Sequence, residues 1–136
     1  MFYNTLANYE KRIATMHPIG KNLDLLSHLN TNFSLLNNQL ESMLLYIDEE
    51  NGLVIEIVFS LTGEDKEKHL RLKFTDVTEY MFYYKSDYTH YTVRRLKFLF
   101  EEDSFYFCID PEDELPKVSH TDKDIIHAKN VEGFLL

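Results

Sequence analysis

The span from Leu40 to Leu61 constrains the fold more than any other part of the chain. Two apolar runs, LESMLLYID and LVIEIVFSL, meet at EENG, with Asn51-Gly52 at the junction. Asn-Gly between two such runs signals a β-hairpin, because both residues tolerate the positive φ that a tight turn demands. In the second run Ile55, Ile57, Phe59 and Leu61 share one face, while Val54 and Val58 leave the other face partly apolar. After the charged turn TGEDKEK comes HLRLKF, where Leu70, Leu72 and Phe74 alternate with His69, Arg71 and Lys73. That alternation has the period of a strand with one buried face.

Three more apolar runs follow: VTEYMFYYKS directly after Thr75-Asp76, YTVRRLKFLF up to Phe100, and FYFCID after the turn EEDS. A last strand is expected in DIIHAKNVEGFLL, with Ile125, His127, Lys129 and Val131 on one parity and Ile126, Ala128 and Asn130 on the other. The beginning of the chain has a different rhythm. Phe2, Leu6, Tyr9, Ile13 and Met16 are spaced as on a helix face, which predicts a short helix ending before Pro18 and Gly20. Leu23, Leu26 and Leu29 predict a further turn or two, broken at Asn30, Thr31 and Asn32. The expected class is α+β, mainly β: short N-terminal helices, then a six- to seven-stranded antiparallel meander forming a sandwich or partly open barrel. Residues 1–136 are expected to form a single domain, with a helical part over 1–32 and an antiparallel β part over 35–136.

Fourteen basic against twenty-three acidic side chains leave a net charge of -9. Residues 1–35 carry three basic and two acidic groups, so the acidity belongs to the β part. Such a surface repels a phosphate backbone or an anionic membrane and steers basic proteins toward it. Direct nucleic-acid and membrane partners are therefore not expected. The N-terminus has no signal-peptide pattern and no run reaches the eighteen apolar residues of a membrane span, and the single Cys108 cannot form an internal disulfide. These features predict a cytoplasmic protein.

Candidate chemistry is sparse. His120, Asp122 and Asp124 lie together in SHTDKD, but their spacing matches no cation-binding loop, and a polar loop leading into a strand, with Ser119 or Asp122 bonding the local backbone, accounts for them. Neither a metal nor a cofactor is expected. His17, ahead of Pro18, reads as a cap at a helix end, while His28, His69, His90 and His127 are scattered over different elements. Cys108 has acidic neighbours that would raise its pKa, and Ser60, Ser86 and Ser104 lie in no nucleophile elbow. With four glycines the chain also lacks a phosphate-cradling loop. No catalytic residue is assigned.

Two segments suit a protein partner. Tyr83, Tyr84, Tyr88 and Tyr91 cluster around one turn, and tyrosine offers apolar area with a hydroxyl on one side chain. Arg94 and Arg95 beside them are expected to balance neighbouring carboxylates. The stretch EEDSFYFCIDPEDE carries seven carboxylates, divided between the two ends of one strand about 20 Å long. The second rim, Asp110, Glu112, Asp113 and Glu114, is the expected partner-facing one.

Leu72, Phe74 and Val77, then Asp110 ahead of an acidic turn, then Ile126, Ala128, Lys129 and Val131 follow one another in an order that resembles small bacterial toxin-immunity proteins of polymorphic and contact-dependent toxin systems. The resemblance covers roughly residues 35–136 and leaves the first 30 outside. It implies a non-catalytic immunity protein that binds and neutralises a cognate bacterial toxin domain, basic and in many cases a nuclease, and it carries no site residue over. The alternative from the residues themselves is a small-ligand-binding or enzymatic β-barrel with a polar and aromatic cavity.

Overall fold

The computed structural model describes residues 16–31, 34–62, 68–85 and 91–136. The expected helix over residues 2–16 falls almost wholly outside them, as do Tyr88 and His90. The elements are β1 (His17–Lys21), α1 (Asn22–Thr31), β2 (Gln39–Asp48), β3 (Gly52–Ser60), β4 (His69–Met81), β5 (Lys97–Glu101), β6 (Ser104–Asp110) and β7 (Lys123–Leu135). All seven strands belong to one antiparallel sheet, in the order β2-β3-β4-β7-β6-β5, with β1 added alongside β7. The protein is thus mainly β with one short helix among the described residues, and its sheet does not close into a barrel.

The order is two three-stranded meanders joined where β4 meets β7. These two strands are thirteen residues each. β3 pairs with the first half of β4, from His69 to Phe74, and β6 pairs with the first half of β7, from Lys123 to Ala128. The second half of β7 receives β1 instead, with His17 opposite Leu135 and Lys21 opposite Glu132. Between β6 and β1 the edge of β7 has a gap, and Asn22 fills it. Its Oδ1 accepts the Val131 N–H at 2.8 Å, and its Nδ2 donates to Asn130 Oδ1 at 3.2 Å. Asn22 does this at φ 54°, a left-handed conformation that asparagine tolerates better than most residues, and its chain turns there from β1 into α1.

The strand at His17–Lys21 replaces the helix end expected before Pro18, and His17 is a strand residue in place of a helix cap. The helix that does form buries Leu25 and Leu29, one turn apart, while Leu23 is exposed. α1 lies close against the sheet because Gly20 and Gly133 are opposite each other beneath it. A Cβ at Gly133 would fall 2.6 Å from Leu25 Cδ1, and one at Gly20 3.0 Å from Leu25 Cα. Side chains there would lift the helix off its seat.

Leu25 and Leu29 close over a core drawn from one face of the sheet: Ile55, Ile57 and Phe59; Leu70, Leu72 and Phe74; Phe105, Phe107 and Ile109; Ile126, Ala128 and Val131. These are the faces expected for β3, for HLRLKF and for FYFCID. Thr75-Asp76, expected to separate two strands, instead lies inside β4, with Asp76 at φ 51°. The parity changes around Asp76 while the register holds from Phe74–Val131 to Val77–Ala128, so Phe74 and Val77 both pack against the core despite opposite parity, and a register shift follows between Val77 and Glu79. Ala128 and Val131 of β7 show the same change, which the strict alternation expected for that strand does not contain.

The predicted turns at EENG and EEDS form, while TGEDKEK lies mostly outside the described residues. Glu49, Glu50 and Asn51 make a three-residue loop closed by Gly52 at φ 63°, with Asp48 Oδ1 accepting Glu50 N at 3.0 Å. Glu102 and Asp103 turn β5 into β6 with φ 54° and 59°, the two-residue turn for which Asn-Gly is best suited. Replacing Glu102 and Asp103 by Asn and Gly is expected to raise stability by about 1 kcal/mol, seen as a higher urea midpoint at unchanged slope.

Candidate functional site

β6 is buried on both faces, and its outer face carries a second cluster of Tyr106, Cys108 and Ile125 with Leu99 against it. The chain from Pro111 to Asp122 folds back over this side. Its anchor is a buried ion pair that joins elements far apart in sequence. The Lys97 Nζ, on a residue 3% exposed, lies 3.1 Å from Asp122 Oδ2 and 3.0 Å from Asp113 Oδ1, and donates to the Lys117 carbonyl at 2.9 Å. Asp122 also accepts the Tyr106 hydroxyl at 2.6 Å, the Glu112 N–H at 2.8 Å and the Ser119 N–H at 3.1 Å. Burial alone would raise the Asp122 carboxyl, but these donors together outweigh it and hold the group below the ordinary carboxylate value. Burial likewise favours neutral Lys97, and its bonds to Asp113 and Asp122 overcome that and raise its pKa. Burial and the bond to Asp122 push the Tyr106 phenol well above its usual range.

This arrangement divides the expected partner rim. Asp113 is committed to Lys97, and Glu112 accepts the hydroxyls of Ser119, at 2.9 Å, and Thr121. Asp110 and Glu114 are exposed. Lysine at Glu112 or Asp113 would therefore act on the loop itself as well as on a partner. His120 is exposed whereas Asp122 is buried in the ion pair, so SHTDKD does not present them as a set, and no group of three metal-ligating side chains occurs among the described residues. Cys108 lies at the floor of this layer with its thiol 3.0 Å from the Lys123 carbonyl, and burial pushes its pKa up to about 11.

The tyrosines gather around a second buried carboxylate. Asp110 ends β6 opposite Lys123, the first residue of β7, and Asp124 follows at φ 57°. One Asp124 oxygen accepts the Tyr83 N–H at 2.8 Å and the other accepts the Tyr91 hydroxyl. Lys123 Nζ stands 5.6 Å over the Tyr83 ring, within cation–π range. Burial first, and Asp124 second, raise the Tyr91 phenol far above its usual range, so it stays protonated and serves as a donor. Tyr91, Thr92, Arg94, Arg95, Ile109, Asp110 and Asp124 line a surface cleft of about 200 Å³. Arg95 ties the cleft to the covering loop through the Glu112 carbonyl, 3.2 Å from its Nη1.

The structure thus brings Tyr83, Tyr91 and Asp110 to one place, with Tyr84, 76% exposed, next to Tyr83. It sets Glu112 and Asp113 apart in the loop, and Tyr88 lies outside the described residues. Asp124, the hub, was legible only as a loop residue before a strand. A second cleft of about 280 Å³ lies on the outer face between Glu101, Glu102, Ser104, Tyr106, Val118 and His127, where the His127 ring packs 4.7 Å from Tyr106. Among the described residues no helix is long and apolar enough to cross a membrane. Comparison with protein-family models, curated proteins and solved structures gave no match.

Proposed function

We propose that this chain is a non-catalytic immunity protein that binds and neutralises a basic bacterial toxin domain. The observation that carries the reading is the meeting of Tyr83, Tyr91 and Asp110 around Asp124, at one cleft on a protein of net charge -9. A tyrosine ring fixed as that of Tyr91 is, by its hydroxyl's bond to Asp124, loses little entropy on binding, and exposed carboxylates beside it raise the rate at which a basic partner arrives. The carboxylates and phenols of both buried clusters are occupied by one another, which suits a rigid binding surface better than proton transfer. The core face of the sheet is filled by packed rings, including Phe59, Phe74, Phe98 and Phe107, which supports a binding surface over an internal ligand cavity.

The direct test is co-purification with a toxin domain encoded by the gene immediately upstream. Complex formation at micromolar protein supports the reading, and no complex with an unrelated gene neighbourhood would sink it. Within a complex, Asp110→Lys combined with Glu114→Lys is expected to slow association about tenfold at low salt while thermal unfolding stays as in the parent. Unchanged association would remove these two residues from the interface.

A further inference from the structure

β2 is the outermost strand of its meander, and among the described residues most of its outer edge has no backbone partner. Among the described residues its beginning is covered. Gln39 bridges to Thr92, Leu40 N donates to the Tyr91 carbonyl at 2.8 Å, and just upstream Val93 N donates to Asn38 O at 2.9 Å. The pairing of β2 with β3 is irregular between Leu40 and Ser42, and the residues preceding Tyr91, 86–90, lie outside the described residues. Beyond that irregularity Ser42–Ile47, the run SMLLYI, holds no charge, proline or glycine, although lysine and proline are the usual protection for an exposed strand edge. Leu44, Leu45 and Ile47 are 47%, 38% and 77% exposed, and they lie on both faces of the strand.

We propose that the open length of β2, Ser42–Asp48, is a strand-addition site for an extended segment of a partner protein with an apolar middle and basic ends. The chain already shows the mode of binding at one end of the edge, where residues 91–93 run antiparallel to 37–40. The charges select the occupant. Glu41, whose carboxylate also binds His69 and Ser60, stands at one end of the uncharged run, and Asp48, which caps its own turn, stands at the other with the exposed Glu49 and Glu50, so lysine or arginine flanking an apolar strand would meet negative charge at both ends. A second copy of this chain fits poorly. Antiparallel self-pairing centred on the run sets the acidic groups that bracket it opposite one another, and parallel pairing sets Glu41 against Glu41 and Asp48 against Asp48. Each copy also carries a charge of -9. Tyr91 and Thr92 border both this edge and the cleft around Asp124, which makes the two surfaces continuous. The proposal goes beyond the immunity reading, because it holds for a basic partner of any activity.

The test uses a short synthetic peptide with blocked ends, lysine at each end and alternating valine and threonine between, titrated into isotopically labelled protein. Binding is expected to shift the amide resonances of residues 42–48 and to slow their hydrogen exchange. The same peptide with glutamate ends should bind about tenfold more weakly, and one with N-methylated backbone should not bind. Leu44→Lys with Ile47→Lys should weaken the lysine peptide about tenfold, with the parent's thermal unfolding retained because both side chains are exposed. Absence of shifts at 42–48, equal binding of the N-methylated peptide, or amides of 42–48 already protected without peptide would each overturn the proposal. So would concentration-dependent dimerisation through this edge. Failure to co-purify with a toxin leaves these readouts unaffected and counts against the immunity reading alone.

Discussion

Phe107→Ala is expected to lower the unfolding free energy by about 4 kcal/mol, read as a large drop in urea midpoint with a slope close to the parent's. The side chain is 1% exposed, and its ring contacts three others from three strands: Phe74 of β4 at 5.2 Å, Phe98 of β5 at 5.5 Å and Phe59 of β3 at 6.4 Å between centroids. The Phe98 and Phe59 rings meet it edge-on, at 87° and 63°, a favourable arrangement beyond area burial. Its position gives the substitution its reach. Phe59 and Phe74 belong to the meander that ends in β4, while Phe98 and Phe107 belong to the one that ends in β7. Removing this ring opens a cavity where the two meet, and aromatic side chains held on separate strands cannot collapse into it. Phe107→Leu keeps most of the volume and is expected to cost about 1–2 kcal/mol. Comparable losses for the two substitutions would mean that ring geometry, and not volume, holds this junction.

The sequence exposed the parts of this structure that depend on neighbours in the chain. The hairpin at Asn51-Gly52, the turn at Glu102-Asp103 and the inward parity of Phe105, Phe107 and Ile109 all formed as local pattern predicts. Each rests on turn conformation or on period two, which a few consecutive residues determine. The elements that departed from expectation depend on distant partners. His17–Lys21 is extended because β7 offers a free edge at Glu132–Leu135, and a helix-like spacing of leucines says nothing about that edge. Thr75-Asp76 looks like a break, yet β7 pairs on through the irregularity from Asn130 to Ala128 and keeps β4 continuous.

The candidate site divides the same way. Exposure of Asp110 agrees with its place at a strand end, while Tyr84 lies beyond β4, which stops at Met81, and Asp124 became the anchor of Tyr83 and Tyr91 only through contacts spanning 41 and 33 residues. Ser119 and Asp122 do bond each other's backbone, as a polar loop leads one to expect. What the loop pattern could not reveal is Lys97, twenty-five residues away, whose ammonium gives that turn its second role. A lysine inside KFLF reads as the solvent-facing position of an edge strand. It is buried because the chain from Pro111 to Asp122 covers it.

That ion pair sets the other large expected effect. Asp122→Ala should destabilise the protein by about 3–5 kcal/mol, since it strips a buried ammonium of one of its two carboxylates and leaves the Tyr106 hydroxyl and two backbone donors without their acceptor. Asp122→Asn preserves size and part of the acceptor capacity and should cost less, and the two variants separate loss of charge from loss of shape. Their pH dependence gives the sharper readout. The Asp122 carboxyl sits below its ordinary value of 3.8 in the folded chain, so its contribution is fully present above that value and is lost as pH falls through the lower folded one. Lys97 has the opposite sign: its raised pKa contributes below the ordinary value of 10.5 and fades only in strong alkali. Parent stability from this pair is therefore level through neutrality and declines in acid below 3.8. Asp122→Asn removes one source of that decline, so the gap between parent and variant, measured by urea unfolding at a series of pH values, should narrow toward the acid end. A gap that stays constant would mean the carboxylate's charge contributes nothing there, and that the loop is held by its backbone hydrogen bonds and by Asp113 alone.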